Sequence, residues 1–282
     1  MTLNYTRRGF LASALIGAGA AGTVRASNLR PAEQGSQDIN LGVASYSLRE
    51  FQRGLVIKMI QQLNVSNVSL KEYHLPYRST PEELQQGAME FEKAGIKIVG
   101  GGVIYMTKDN DDDIRRYFEY AKHCGMSLMS IGPTLKTLPR IERFVKEYNI
   151  KVAIHNHGPE DENFPSPEVA LKAIDGMDPR VGVCVDVGHT ALTGTNPVDS
   201  VRAAGSRLLD MHIKDLRNPL QVNTQVPVGD GALPIVGIFK QLKTMKYSGC
   251  VNLEYEIDAD NPLLGMAKSF SYMRGVLAGL RG

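Results

Sequence analysis

Five of the six histidines in this 282-residue sequence end an apolar, strand-like run or follow one closely: His74, His155, His157, His189 and His212. Only His123 falls inside a helical stretch. In "VAIHNHGPED" an apolar run stops at His155-Asn156-His157 and turns at Gly158-Pro159. "CVDVGHT" sets Asp186 at the end of another run, with His189 three residues on. In "DMHIKD" the two-residue period of a strand puts His212 and Lys214 on one face, and in "NLEYE" it does the same for Glu254 and Glu256. A carboxylate among Val, Leu and Tyr is costly to bury unless it is paired or bound to a metal. Asp, Glu and His from neighbouring strands can converge on one divalent ion, and mixed nitrogen and oxygen donors suit Mn, Zn, Fe or Co better than Mg. Taken singly, each residue reads equally well as a capping or salt-bridging group. Taken together, they favour a metal or acid/base site.

Such residues need a scaffold that gathers strand ends. From Ile39 onward, short Val/Ile-rich runs alternate with longer amphipathic stretches. The strand candidates are "INLGVASYS", "VSNVSLK", "IKIVGGGVIYM", "SLMSIGP", "KVAIHNH", "VGVCVDVGH", "LLDMHIKD" and "CVNLEYEI". Between them, "PEELQQGAMEFEKAG" carries Pro81 in its first turn and Gly95 as a stop, and "DDDIRRYFEYAKHCG" starts acidic and ends at Gly125. Eight strand-then-helix beats predict a single closed (β/α)8 TIM barrel over residues 39–282, whose strand carboxyl ends form the active face. A doubly wound open sheet would normally show a Gly-rich phosphate turn after its first strand, and "SYSLREFQRG" is not one. Gly100-Gly101-Gly102 reads as close backbone packing in the third strand rather than as a phosphate site. The connection "RNPLQVNTQVPVGDGALP" between strands seven and eight is expected to lie over the mouth.

The net charge of +2, from 32 basic and 30 acidic residues, gives no nucleic-acid footprint. Trp is absent. The segment "TRRGFLASALIGAGAAGTVRAS" pairs Arg7 and Arg8 ahead of an apolar small-residue run that ends in Val24-Arg25-Ala26. It resembles a twin-arginine export signal, expected over residues 1–26 with a linker over 27–38, and implies a periplasmic protein with no stable membrane anchor. Cys124, Cys184 and Cys250 sit in or beside apolar runs and read as small buried residues, not as a disulfide framework.

The strings "HNHG", "DVGH", "HIKD" and "LEYE" resemble the xylose-isomerase-like TIM barrels grouped as sugar phosphate isomerases and epimerases. That superfamily also contains ketose 3-epimerases, inosose dehydratase, hydroxypyruvate isomerase and endonuclease IV. The resemblance covers about residues 40–280 and implies one divalent metal held by strands five to eight. Carried over by motif, Asp186, His212 and Glu254 would be ligands, with Glu256 as the alternative to Glu254. The chain departs from the family where relatives read E-N-H: His155 stands at the glutamate position and becomes the fourth ligand. His157, two residues on, becomes the candidate base.

The resemblance implies a metal-dependent sugar isomerase or epimerase that removes a proton next to a carbonyl. Losing the strand-five glutamate leaves a one-sided base, which suits β-elimination from a 3-oxo-glycoside instead. His157, Glu254 and His189 are expected to be catalytic, and Lys71, His74 and Lys214 to bind substrate oxygens. The expected partner is a small sugar or glycoside, not nucleic acid, with a homo-oligomer left open. An endonuclease IV-like nuclease would need more metals and carboxylates. A non-catalytic sugar-binding barrel is the remaining alternative.

Overall fold

A computed structural model describes residues 39–281. The expected export signal and linker lie outside these residues. The strands run β1 (Asn40–Ala44), β2 (Asn67–Leu70), β3 (Lys97–Met106), β4 (Leu128–Pro133), β5 (Lys151–His155), β6 (Val181–Asp186), β7 (Leu208–Ile213), β8 (Asp215–Leu216), β9 (Gln225–Val226) and β10 (Cys250–Leu253). Eight of them close a barrel in the order β1-β10-β7-β6-β5-β4-β3-β2 with every pairing parallel. Closure rules out the open doubly wound sheet. The two short strands β8 and β9 form an antiparallel ribbon in the long connection before β10.

The helices are α1 (Arg53–Gln62), α2 (Pro81–Lys93), α3 (Asp111–His123), α4 (Leu138–Tyr148), α5 (Pro167–Ala173), α6 (Val187–Leu192), α7 (Pro197–Ala204), α8 (Ile235–Thr244) and α9 (Leu263–Gly279). Their boundaries follow from local chemistry. Thr80 accepts from the Glu83 N–H while Glu83 reaches back to the Thr80 N–H, a capping box ahead of Pro81. Asn110 caps α3, whose first turn holds three Asp and whose last turn holds Lys122 and His123, as the helix dipole favours. Gly95 and Gly125 follow α2 and α3 with positive φ. α4 buries Leu138, Ile141, Phe144 and Val145 against the barrel. Each such side chain contributes about 1.5–3 kcal/mol by leaving water, and Phe144→Ala would cost about 3–5 kcal/mol. Among the described residues, no helix is long and apolar enough to cross a membrane.

The strands are shorter than the runs that announce them. Ser45–Leu48 is a 3₁₀ turn, not the end of β1. Val187 to His189 belong to α6, because the Asp186 carboxylate accepts the His189 N–H and starts a helix there. Glu254 and Glu256 lie just beyond β10, not on it. The three glycines of β3 serve packing. At Gly102, with φ +140°, a side chain would run into the Ser130 carbonyl of β4, and at Gly101 it would meet Met126 and the Leu70 carbonyl.

Candidate metal centre and its cavity

Parallel strands that all end at one face of the barrel bring His155, Asp186, His212 and Glu254 together. One donor atom from each lies within 4.8 Å of the others, and all four residues are buried. His155 Nε2 is 3.1 Å from His212 Nδ1 and 3.5 Å from Asp186 Oδ2, and His212 Nδ1 is 3.1 Å from Glu254 Oε2. Bonds of about 2.0–2.2 Å to a first-row ion set neighbouring donors about 3–3.5 Å apart, so the residues present fit a divalent ion. Asp186 Oδ2 accepts no well-aligned hydrogen bond although it is buried. Of the two carboxylates that follow β10, Glu254 is the one in this cluster.

The electrostatics favour a cation. Burial would raise the Asp186 carboxyl, but Lys214 and His189 bring it below its ordinary value. Burial also opposes Glu254, and the His212 and Lys214 charges hold it well below the usual carboxylate range. His212 feels the reverse: against its own burial, the Glu254 carboxylate lifts it to about 9. Burial, aided by the His212 charge, pushes His155 down to about 3, so it stays neutral and its nitrogen can bind metal.

Lys214 sits inside this arrangement. Its ammonium is 3.1 Å from Asp186 Oδ2, 2.9 Å from Glu254 Oε2 and 2.5 Å from Glu256 Oε2. Its side chain is only 4% exposed. Lys214, expected to bind substrate oxygens, faces three carboxylates and is not among the residues that line the cavity.

The base candidate stands on the rim. The His157 ring is 4.4 Å from the His155 ring, centroid to centroid, and is 22% exposed. Its Nδ1 faces the Asp161 carboxylate at 3.3 Å, and its Nε2 is 3.1 Å from the Tyr105 hydroxyl. Burial, then the neighbouring His189, lowers its pKa, so the imidazole is neutral and can accept a proton. A cavity of about 290 Å³ lies over the cluster. Its walls include Tyr46, Lys71, Glu72 and Tyr105 opposite and beside His155, His157, His189, Glu254 and Glu256. The size suits one small ring at the lower end of ligand sites. Two larger hollows among the described residues, one beside Tyr255 and Lys268 and one beside Met89 and Lys122, lack this chemistry.

Lys71 lines the cavity, with its ammonium on the Val103 carbonyl, 3.6 Å from Glu72, and a pKa lowered by burial. His74 does not line it. Its Nδ1 meets Ser45 Oγ at 3.0 Å and its Nε2 the Leu48 carbonyl at 3.1 Å, so both nitrogens are spent holding the 3₁₀ turn and none remains for substrate.

Several residues that support the site were not anticipated. Asn156 accepts the Asp186 N–H and donates to Thr190, fixing the strand-to-helix turn that aims Asp186. Asp210, one step below His212 on β7, takes hydrogen bonds from Ser130 and Asn252, and burial raises its carboxyl. The same alternation that paired His212 with Lys214 would have pointed to it. Cys184, below Asp186, also approaches His155 and His212, but burial holds its thiol protonated. Asp215 accepts the N–H groups of Leu216, Gly229, Gly231 and Leu233 and so folds the long loop. That loop does reach the site: Gln225 donates to the Glu254 carbonyl and accepts the Glu256 N–H.

Comparison with known proteins agrees with this architecture. An inosose dehydratase from Clostridium tetani is 26% identical over 157 residues, 49% of this chain and 52% of that protein. The chain spans about half the length of the curated relatives it matches. An uncharacterized protein from Parabacteroides distasonis superimposes with a TM-score of 0.66 at 26% identity, covering 84% of this chain and 99% of that one. The IolI protein, solved with a zinc atom, gives a TM-score of 0.72 at 16% identity over 86% of this chain and 99% of its own. The family described as xylose isomerase-like TIM barrel matches residues 76–276, and the chain belongs to it.

Proposed function

We propose that the protein is a divalent-metal-dependent enzyme that removes a proton next to the carbonyl of a sugar-derived ketone and expels an oxygen substituent from the β-carbon. The observation that carries this reading is an imidazole outside the four-donor cluster, His157, whose ring lies 4.4 Å from that of His155 and whose far nitrogen is 3.3 Å from Asp161. An ion held by His155, Asp186, His212 and Glu254 would polarise the carbonyl and acidify the neighbouring C–H. Asp161, 3.3 Å from Nδ1, favours the proton there, and the Nε2 lone pair, which faces the Tyr105 hydroxyl at the cavity, takes the substrate proton when that hydroxyl turns to substrate. His189 and Lys71 offer polar groups to substrate hydroxyls from the cavity wall.

Isomerisation or epimerisation by the same proton abstraction is the second reading. Two-sided epimerisation needs a second base across from His157; His189 stands beside His157, ring to ring at 5.7 Å, and the Glu254 carboxylate is shared between His212 and Lys214. That sharing, and the dehydratase relatives, favour elimination. If residues 1–26 direct export to the periplasm, the substrate is an unphosphorylated glycoside.

The test gives the protein a 3-oxo-glycoside in deuterated water. The wild type should release the aglycone and exchange the α-hydrogen. His157→Ala should keep its metal and lose about 100-fold or more in rate, the scale of a positioned general base. His155→Ala and Asp186→Asn should lose metal and activity together. Exchange surviving intact in His157→Ala would sink the base assignment. A metal-free protein with full activity would end the metal-dependent reading, and one that binds the glycoside without turning it over would favour a binding module.

A further inference from the structure

β3 and β5 are not neighbours in the barrel, for β4 lies between them. Yet Tyr105 of β3 reaches His157, which follows β5. Its hydroxyl is 3.1 Å from His157 Nε2, and the two rings lie 5.6 Å apart at an angle of 28°. The intervening strand permits this through Gly132. A side chain there would come within 2.7 Å of the Tyr105 ring, so only glycine lets the ring lie across β4. Tyr105 is 56% exposed and lines the cavity, so this tyrosine is held at the reaction space and not used to fill the core. Burial of the hydroxyl, with the Glu254 and Asp161 carboxylates adding to it, raises its pKa, so it carries its proton.

Elimination needs an acid as well as a base, since an alkoxide or hydroxide is a poor leaving group. Lys214 is held by three carboxylates, Lys71 donates to the Val103 carbonyl, and Tyr105 is the proton-bearing group in hydrogen-bond contact with the base itself. We propose that Tyr105 is the general acid of the reaction, protonating the departing oxygen and being reprotonated by His157. This rests on the elimination reading above. The balance closes. The substrate C–H breaks and its proton goes to His157 Nε2. The electron pair forms the C=C bond as the β C–O bond breaks. The departing oxygen takes the Tyr105 proton, and the tyrosine oxygen recovers one from His157 Nε2. The expelled alcohol carries the former tyrosine proton, the α-proton ends on the Tyr105 oxygen, and both side chains return to their starting state. Base and acid stand on one wall, so the elimination is syn.

The test compares a methyl and a 4-nitrophenyl 3-oxo-glycoside with wild type, Tyr105→Phe and Gly132→Ala, each checked for fold by circular dichroism and for metal content. Tyr105→Phe should keep α-hydrogen exchange within about threefold of wild type. It should lose about 100-fold or more in release of methanol, the usual scale for a general acid, and less than tenfold in release of 4-nitrophenol, which departs without one. Gly132→Ala, which displaces the ring, should show the same split. An equal fall in exchange and in both releases would overturn the proposal and make Tyr105 a positioning residue for His157. Unchanged methanol release in Tyr105→Phe would also overturn it. A wild type that exchanges the α-hydrogen but expels neither group would refute elimination itself, and this acid with it, while leaving the base and the metal cluster standing.

Discussion

Replacing Lys214 by methionine isolates the charge balance of the cluster. The ammonium touches Asp186, Glu254 and Glu256, and the first two carboxylates are buried. Methionine keeps most of the side-chain volume but removes the positive charge. Without metal, two buried carboxylates then lose a counter-ion. Breaking a buried pair by removing one partner costs about 3–5 kcal/mol. A domain of this size moves about 2–4 °C per kcal/mol. The metal-free unfolding midpoint should therefore fall by roughly 6–20 °C. Added ion should restore more than it does in the wild type, because the carboxylates no longer divide their charge between an ammonium and a metal. An ion at one hundred times its Kd contributes about 2.7 kcal/mol to a protein that binds it only when folded, and the variant should exceed the wild-type gain. The assay is thermal unfolding by circular dichroism, with chelator and then with zinc or manganese. A metal-free variant as stable as the wild type would show that the ammonium does not compensate these carboxylates. A metal-dependent gain no larger than in the wild type would refute the shared charge.

Asp215→Ala removes an acceptor for four backbone N–H groups. It should cost about 2–4 kcal/mol and open residues 217–234 to limited proteolysis before the barrel unfolds; unchanged protease resistance would count against that role. Arg7→Lys with Arg8→Lys should trap the precursor in the cytoplasm, because the paired arginines are what an export receptor reads. Fractionation that finds unchanged periplasmic yield would dismiss the signal.

Much of the fold was legible because its code is local. Pro81 in a first turn, the acidic start at Asp111, the stops at Gly95 and Gly125, and eight Val/Ile-rich runs each depend on a few consecutive residues, and all are present in the structure. Strand ends were less legible. Whether Val187 continues a strand or starts a helix turns on one hydrogen bond from His189 to the Asp186 side chain. Periodicity does not report that bond.

The sequence by itself determined which strand ends carry nitrogen and oxygen donors, and that a barrel would gather them at one face. The tertiary structure decided which of them meet. Barrel closure and register bring His155, Asp186, His212 and Glu254 together, while Glu256, two residues from Glu254, turns to Lys214. His74 follows a strand like the other histidines, yet a 3₁₀ turn claims both its nitrogens. Lys214 shares a strand face with His212 but ends buried among carboxylates. Tyr105 meets His157 only because Gly132, on the strand between them, has no side chain. Local periodicity fixes the side of a strand on which a residue points. The partner it finds there depends on strands far apart in the chain, whose stagger is set only when the barrel closes.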